Sequence, residues 1–362
     1  NTSIEVFLRD RPTKRPFEGL NLRQDDNKVD IHIPKDDKQG YVNNQKENYT
    51  FMFNNLFGMD AKQQDIFDGV AKDVVDSALE GYNGTVFAYG QTGSGKTYTM
   101  TGGVEKYVDR GMIPRTLSYI FSETKKRTDT FYKISISYIQ IYNDDGYDLL
   151  DENHTTKNLS DLPKVIPRER DDETLVLSGL SVHKAESEEQ ALNLLFIGDT
   201  NRVVSETPKN DASTRSHCIF IIQIEGEKAH SDGKKTIARL YLVDLSGSER
   251  VGKTEVEGLL LTEARYINLS LHYLERVIVC LNKRTQGENT HIPYRNSLMT
   301  KVLKDSLGGN SKTRMIATIS AEKDDIDESI STCRFAQRVA LIKNNLLKNE
   351  AVDPALIIQK LK

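Results

Sequence analysis

The stretch Gly90–Thr97 contains the residue types that hold a polyphosphate in many nucleotide-binding proteins. Two glycines separated by four residues are followed by Lys96 and Thr97. Glycines let backbone N–H groups curl around phosphate oxygens, while a lysine reaches the β- and γ-phosphates and a hydroxyl ligates Mg²⁺. We therefore predict a site for a nucleoside triphosphate with Mg²⁺. Its phosphate-binding residues are Gln91, Thr92, Gly93, Ser94, Gly95, Lys96 and Thr97.

The segments on either side of this loop favour the same interpretation. Residues 85–89 are β-branched and aromatic, as in a buried strand, and residues 97–100 can begin a helix. The alternative is a glycine-rich turn between a strand and a helix, which the accompanying lysine and threonine make the weaker interpretation. The loop by itself does not indicate what the energy of hydrolysis drives.

Two further polar stretches could act on a γ-phosphate. Asp244 ends an apolar strand, where a carboxylate suits water-mediated Mg²⁺ binding, and Gly247 could bring its N–H close to phosphate. Residues 210–217 are dense in hydroxyls, and Arg215 could meet Glu249 if both loops close on the nucleotide. Ordinary strand-end and Ser/Thr turns are the alternatives at this point.

Composition limits the class of protein. The chain has 362 residues, 37% of them hydrophobic, and a net charge of −4, so an acidic partner would need a local basic patch. No apolar run is long enough to cross a membrane, and the three cysteines lack metal-binding spacing. We expect a reducing compartment, no membrane and no nucleic acid. Because the chain begins at Asn1, we also expect a piece of a longer protein.

Hydrophobic periodicity predicts one α/β domain with a central mixed, mostly parallel sheet and helices on both faces, as in phosphate-loop nucleotide hydrolases. We expect residues 18–50 and 151–173 to be irregular polar segments. The predicted strands cover residues 4–8, 51–53, 85–89, 131–142, 216–225, 236–243 and 315–319. The predicted helices cover residues 64–79, 188–196 (closing at Gly198), 260–281, 296–307 and 327–342.

The three polar stretches, in this order and spacing, resemble the phosphate loop and the two switch regions of the kinesin motor domain. Further motifs match the same family across residues 4–350, and they lie at residues 137–143, 148–150, 198–202, 263–268, 291–297 and 305–310. Together these motifs are highly specific. Residues 268–275 and 331–342 look most like kinesin family nine, which is associated with cilia and flagella.

The resemblance implies a role for each matching residue. Arg9, Arg11 and Pro12 would pack around adenine, with Tyr98 on the other side. Arg215 and Glu249 would form the salt bridge that aligns the attacking water. The implied catalytic residues are Ser213, Arg215, Gly247 and Glu249, and the implied Mg²⁺ ligands are Thr97, Thr214 and, through water, Asp244.

The resemblance also implies a partner and a mechanical element. The region Arg250–Lys304 would bind a microtubule, and residues 276–314 carry eight basic against two acidic residues, which would steer association with acidic tubulin. Residues 1–342 would form the motor domain. Residues 343–362 would form the neck linker and the start of the neck, with Asn349 as a latch. A stalk outside this chain would make the protein a homodimer.

Some positions depart from the common kinesin pattern. Thr214 replaces serine and Ser246 replaces alanine, and both changes keep a small side chain. Glu255–Val256 replace a Gly-Ala pair, which bears on the flexibility of that loop. Leu298 replaces a lysine that commonly contacts tubulin. On a helical wheel Leu298 lies at the edge of the apolar arc, so we predict that Leu298→Lys tightens microtubule binding; a buried Leu298 is the competing interpretation.

The sequence therefore predicts an active ATPase that binds ATP or ADP with Mg²⁺ and moves along microtubules. The motor precedes its neck, which implies plus-end movement, and we expect the protein in the cytoplasmic cytoskeleton of a cilium or flagellum. A non-motile microtubule regulator with slow nucleotide turnover is the first alternative. A GTP-dependent switch is the second, and it would need an Asn-Lys-x-Asp motif to read guanine; we expect no such guanine site.

Overall fold

The computed structural model describes residues 1–34, 46–103, 106–151, 159–170, 175–204, 215–229, 234–249 and 259–352. The strands are β1 (Thr2–Ser3), β2 (Glu5–Arg11), β3 (Leu20–Arg23), β4 (Lys28–His32), β5 (Asn48–Met52), β6 (Asn55–Phe57), β7 (Gly84–Tyr89), β8 (Thr130–Tyr142), β9 (Asp145–Asp148), β10 (Lys164–Glu169), β11 (Leu175–Ser178), β12 (His183–Ala185), β13 (His217–Lys228), β14 (Lys234–Asp244), β15 (Lys312–Ser320), β16 (Lys343–Asn344) and β17 (Glu350–Val352). The helices are α1 (Gln63–Ile66), α2 (Lys72–Leu79), α3 (Lys96–Met100), α4 (Met112–Lys126), α5 (Glu188–Val204), α6 (Leu259–Thr285), α7 (Leu298–Val302) and α8 (Ile326–Val339), with a π-helical segment, Phe67–Ala71, between α1 and α2.

The central sheet is mixed, as predicted. Its strands follow the order β11-β10-β9-β8-β13-β14-β7-β15-β2-β6, with β12 beside β8 and β17 beside β14. Among the described residues, parallel pairing joins β14, β7, β15, β2 and β6, whereas the antiparallel part extends further than the sequence predicted. The carboxyl ends of the parallel strands meet at one edge, which is where ligands bind in open α/β sheets.

Helices cover both faces of this sheet, which confirms the layered α/β architecture. One face packs against α1, α2, α4 and α5, and the other packs against α6, α7 and α8. Along β8, Ile136 and Tyr138 point into the first layer, whereas Ile139 and Ile141 point into the second. β8 is therefore buried on both faces, although Ser135, Ser137 and Gln140 interrupt its apolar sequence.

Two segments that we predicted to be irregular contain strands. Residues 20–32 supply β3 and β4 of a separate three-stranded sheet with β5, and this sheet is tied to α8 where Gln337 Nε2 donates to the Met52 carbonyl at 2.6 Å. Within residues 151–173, β10 pairs with β9 and β11. The short apolar alternation in these strands is interrupted by charged residues, so the pattern did not reveal them, and each strand is stabilised by pairing with its neighbours in the sheet.

The helix that we expected to close at Gly198 is longer. α5 continues through Gly198 to Val204, so the glycine is not a helix stop. A Cβ at Gly198 would overlap the Tyr138 ring of β8, so the glycine allows a close approach between helix and strand. No helix in the described ranges combines the length and the apolar character that crossing a bilayer requires.

The segment after α8 lies along the body of the protein. β16 pairs with β1, and β17 pairs with the first residues of β14. Between these strands Asn349 donates through its backbone N–H to the Gly81 carbonyl at 2.9 Å and through Nδ2 to Asn83 Oδ1 at 2.9 Å. Asn310 Nδ2 in turn donates to Asn349 Oδ1 at 2.9 Å. Asn349 therefore connects this segment to the amino end of β7.

Candidate nucleotide-binding site

The predicted phosphate loop lies between the carboxyl end of β7 and the start of α3. Gly93 and Gly95 have φ angles of 78° and 100°, a region in which a side chain is costly. Ser94 Oγ lies 2.7 Å from Thr318 Oγ1 on the neighbouring strand β15. The loop is thus shaped by its own glycines and anchored to the adjacent parallel strand.

Lys96 points back into this loop. It is 7% exposed, and its Nζ donates to the carbonyl oxygens of Gly90 and Gln91 at 2.8 Å each. Burial lowers the pKa of Lys96, while the carboxylates of Asp244 and Glu249 raise it. A buried ammonium held mainly by neutral carbonyls is stabilised by a polyanion, as the predicted role requires.

Thr97 and Asp244 form the predicted metal corner. Thr97 Oγ1 donates to Asp244 Oδ2 at 2.7 Å, and the buried Asp244 Oδ1 has no hydrogen-bond partner among the described residues. Mg²⁺ prefers oxygen ligands and commonly takes one or two protein ligands together with phosphate and water. The described ranges contain no cluster of three or more His, Cys, Asp or Glu that could hold a metal. The residues present therefore fit Mg²⁺ that arrives with a nucleotide.

The loop after β14 lies directly on the phosphate loop. Ser248 donates through its backbone N–H to the Gly90 carbonyl at 3.1 Å. Both oxygens of Glu249 accept from Thr92, one from its backbone N–H at 2.8 Å and one from its hydroxyl at 2.5 Å. A Cβ at Gly247 would overlap Thr92 Oγ1 and the Glu249 carboxylate. A side chain there would displace Thr92 or Glu249. The approach of the Gly247 N–H to a γ-phosphate stays a prediction.

The first predicted switch is described only in part. Ser213 and Thr214 lie outside the described residues. Arg215 is described and half-buried, and it immediately precedes Ser216, whose Oγ accepts from Gln140 Nε2 at 3.0 Å. The Arg215–Glu249 salt bridge stays a prediction, while the contact between Glu249 and Thr92 is one that the sequence did not indicate.

Of the residues predicted to surround adenine, Arg9, Arg11 and Pro12 lie at the carboxyl end of β2, and Tyr98 lies in α3. Arg9 is buried and donates to Gln63 Oε1 and Thr99 Oγ1 at 2.8 Å each, with its guanidinium 5.2 Å from the centre of the Tyr98 ring. Arg11 is exposed and donates to the Gly93 carbonyl at 2.6 Å. Pro12 and Tyr98 are also exposed. Arg9 therefore supports Tyr98 from the protein side, while the other three face solvent.

Sequence reasoning gave no role to three residues that position the site. Gln63 donates to the carbonyls of Tyr98 and Asp109 at 2.8 and 3.0 Å. Arg202 places a guanidinium nitrogen 3.7 Å from Asp244 Oδ2. The third is His217, which is fully buried. Arg202 and His217 each belong to a motif that we had matched. The sequence did not reveal which buried residues they contact, and their roles follow from those contacts.

His217 lies beneath the loop that carries Gly247. Its Nδ1 accepts the backbone N–H of Ser246 at 3.1 Å, and its Nε2 lies 2.7 Å from Ser270 Oγ in α6. Burial lowers the pKa of His217 to about 3, and the nearby Lys96 charge adds to this effect. The imidazole is therefore neutral at physiological pH.

This arrangement can now be compared with known proteins. The family model described as the kinesin motor domain matches residues 9–342. The chain belongs to the kinesin motor-domain family. It is 40% identical over 359 residues to kinesin-like protein KLP1 of Chlamydomonas reinhardtii, and 40% identical over 366 residues to kinesin-like protein KIF9 of Mus musculus. In both cases the match covers 99% of this chain and 45% of the relative, so the chain spans about half the length of these relatives.

Solved kinesin structures have the same fold. A structure described as that of a fast kinesin superimposes with a TM-score of 0.84 at 35% identity, covering 98% of this chain and 95% of the other. A KIF14 dimer, described with AMP-PNP in complex with a microtubule, gives a TM-score of 0.86 at 32% identity, with full coverage of both chains. These structural matches confirm the predicted fold, and the identities to KLP1 and KIF9 confirm the resemblance to kinesin family nine.

Leu298, which replaces the lysine common in kinesins, is buried in the core, so our prediction that it lies at the edge of the apolar arc was wrong. Leu298 is 3% exposed and belongs to the apolar layer under α6 and α7. Its N–H donates to Asp144 Oδ1 at 2.7 Å, and its Cδ2 would lie 3.0 Å from a Cβ placed at Gly146. The helical wheel failed because α7 is short and its first turn is covered by β9, which the wheel ignores.

The basic stretch that we assigned to the microtubule surface is smaller than predicted. Lys312 and Arg314 are tied to Asp73 at 2.6 and 2.7 Å, and Arg314 also pairs with Glu5. These two cations stabilise the fold and are not part of an open surface. The described basic residues that stay exposed or half-buried are Arg276, Lys283, Arg284, Arg295, Lys301 and Lys304.

The guanine-reading pattern does occur once, at Asn27–Asp30, although we expected no such site. It lies in the turn between β3 and β4 and at the start of β4. Its aspartate accepts from Thr50 Oγ1 at 2.6 Å and from Arg23 at 2.7 Å. The acidic side chain is therefore used in strand pairing within the small sheet.

Proposed function

We propose that this chain is a microtubule-stimulated ATPase that acts as a motor, with residues 1–342 as its motor domain and residues 343–362 as its neck linker and start of neck. The observation that carries the proposal is the convergence of Lys96, the Thr97–Asp244 pair and the Gly247–Glu249 loop on one phosphate loop. Membership of the kinesin motor-domain family supports the choice of ATP and of the microtubule.

The residues divide the work of phosphoryl transfer by position. Lys96 neutralises charge on the β- and γ-phosphates, and Thr97 with Asp244 fixes the metal corner. Thr97 and, through water, Asp244 would hold Mg²⁺, which would supply positive charge to stabilise the phosphate. The glycine at position 247 lets backbone approach the γ-phosphate. Arg215 and Glu249 close the two loops and align the attacking water. By resemblance, Ser213 is a further catalytic hydroxyl and Thr214 would be a ligand of Mg²⁺.

The proposed partner is the microtubule, bound through the region Arg250–Lys304, whose exposed cations suit an acidic surface. The order of motor and neck supports plus-end movement, and the length of the kinesin relatives leaves room for a stalk that would form a homodimer. Association with the cytoskeleton follows from the family. The resemblance to kinesin family nine supports a cilium or flagellum as the finer location.

ATP turnover with and without microtubules tests this proposal directly. We expect the wild-type chain to hydrolyse ATP slowly alone and much faster with microtubules. Glu249→Ala should bind ATP and lose about 100-fold or more in turnover, the scale on which a lost group that aligns the transition state is felt. Turnover that microtubules leave unchanged would contradict the motor proposal, and a gliding assay then separates a motor from a regulator.

Glu249→Gln is the matched control. Glutamine can accept the Thr92 N–H and remain hydrogen-bonded to the Thr92 hydroxyl, but it carries no charge to attract Arg215. Turnover close to wild type in the glutamine variant would mean that Glu249 acts through Thr92. Loss equal to that of alanine would support the salt bridge with Arg215.

A further inference from the structure

One buried side chain touches both the nucleotide loop and the long helix. His217 begins β13 and is the last residue of the predicted first switch, residues 210–217. Its ring is hydrogen-bonded to the backbone of Ser246, one residue before Gly247, and to Ser270 in α6. All three residues are at least nine-tenths buried, so water does not compete for these bonds.

The direction of each hydrogen bond can be assigned. The Ser246 backbone N–H can only donate, so Nδ1 of His217 carries a lone pair and accepts. A neutral imidazole then holds its single proton on Nε2, which donates to Ser270 Oγ. The two ring nitrogens therefore have different roles. Nδ1 accepts a hydrogen bond from the loop that carries Gly247, and Nε2 donates one to α6.

We propose that His217 is a positioning residue that couples the Ser246–Glu249 loop to α6 through these two hydrogen bonds. The inference rests on the proposed function, in which Gly247 approaches the γ-phosphate and α6 belongs to the microtubule-binding region. A shift of the loop must either carry the imidazole with it or leave a buried donor or acceptor unpaired. Both outcomes disturb the hydrogen bond between His217 and Ser270. The nucleotide site and the microtubule-binding region therefore both act on the position of the His217 imidazole.

Two substitutions separate the two bonds. In His217→Asn the side-chain oxygen stands near the Nδ1 position, so it can accept from Ser246, but the asparagine is too short to donate to Ser270. In His217→Gln the side-chain nitrogen stands near the Nε2 position, so it can donate to Ser270, while the acceptor for Ser246 is lost. Ser270→Ala removes the partner in α6. Ser329→Ala is the matched control, because Ser329 is a buried helical serine whose hydroxyl donates to the Ser320 carbonyl at 2.8 Å.

Hydrogen exchange of residues 268–275 is measured with and without Mg·AMP-PNP, alongside the ratio of microtubule-stimulated to basal ATP turnover. We expect the wild type to change its exchange on adding the nucleotide. In both His217 variants and in Ser270→Ala, most of that change in exchange should be lost. The ratio of stimulated to basal turnover should fall about tenfold, which is within the range by which mutations alter coupling between sites. Ser329→Ala should keep both.

A double-mutant cycle completes the test. If His217 and Ser270 act as one link, His217→Asn combined with Ser270→Ala should be little worse than either single variant. Additive losses, or variants that melt earlier while keeping the nucleotide-dependent exchange and the turnover ratio, would overturn the proposal in favour of a packing role. Wild-type turnover that microtubules do not stimulate would contradict the proposed function instead, and the exchange measurement would still decide the link.

Discussion

The two ends of β7 perform different tasks with different kinds of contact. At its carboxyl end the strand leads into the phosphate loop, where the buried Lys96 donates to loop carbonyls and the half-buried Glu249 accepts from Thr92. At its amino end Asn83 accepts from Arg239 N–H and from Asn349 Nδ2, both at 2.9 Å. The contacts there are between neutral amides, and Asn349 is only half-buried.

This difference suits a fixed site at one end and a reversible one at the other. Charge-assisted hydrogen bonds are about twice as strong as neutral ones, and buried polar groups that lose a partner are costly. The phosphate loop should therefore keep its shape, whereas Asn349 can leave Asn83 and Asn310 for the loss of two neutral side-chain hydrogen bonds. A single rigid strand then connects the chemical site to the docking site of the proposed neck linker.

Lys96→Ala should have the largest effect. Removing the cation takes away hydrogen bonds from a charged donor, worth about 1.5–3 kcal/mol each, so Mg·ATP affinity should fall by about 100-fold. Titration with a fluorescent ATP analogue measures this loss. Lys125→Ala, which removes an exposed lysine at the end of α4, is the control and should bind ATP normally. Equal affinity in both variants would mean that the loop does not hold phosphate.

Leu298→Lys tests the cost of burying a charge at an apolar position in α7, which belongs to neither end of β7. We now expect it to destabilise the fold by about 3 kcal/mol, because an unpaired ammonium would enter the apolar layer that surrounds α7. Leu298→Met is the matched control and should cost less than about 1.5 kcal/mol. Denaturant unfolding measures both, and a lysine variant as stable as the methionine variant would contradict the burial of Leu298.

Asn349→Ala should weaken docking at the amino end of β7. Two side-chain hydrogen bonds of about 1 kcal/mol each are lost, so the docking equilibrium should shift by about 30-fold. The Ile237 N–H donates to the Asn349 carbonyl at 3.1 Å, so its rate of hydrogen exchange reports docking. Asn345→Ala removes an exposed amide of the same segment as a control. Unchanged Ile237 protection in Asn349→Ala would mean that the strand pairing alone holds the segment.

The sequence predicted the carboxyl end of β7 well because its residues are consecutive. Lys96 and Thr97 follow the glycines directly, and their type and order carry the chemistry. The contact at the amino end needs Asn83, Asn310 and Asn349 together. Each is an ordinary amide in the sequence, and Asn83 and Asn349, which are 266 residues apart, form a hydrogen bond only after folding. The same reason explains the misplaced Leu298, whose environment comes from Asp144 and Gly146.

Asp10 gives the smallest and most specific test of the carboxyl edge. It lies on β2, is 2% exposed, and its Oδ1 has no hydrogen-bond partner among the described residues. Burial raises the pKa of Asp10 to about 7. Because the folded pKa is higher than the unfolded one, its contribution to stability is fully present below about pH 4 and is lost as the pH rises to about 7.

Asp10→Asn keeps the shape and removes the ionisation, so the variant should gain on the wild type as the pH rises. From pH 5 to pH 8 the difference in free energy of unfolding should move in its favour by about 2 kcal/mol. Asp25→Asn, at an exposed turn, controls for net charge and should show no such change. A difference between Asp10→Asn and the wild type that is the same at both pH values would show that Asp10 is already ionised at pH 5 in the folded protein, so that its pKa is not raised. In that case the carboxyl edge would accommodate a buried charge without loss, and the contrast between the two ends of β7 could not rest on the cost of burying polar groups.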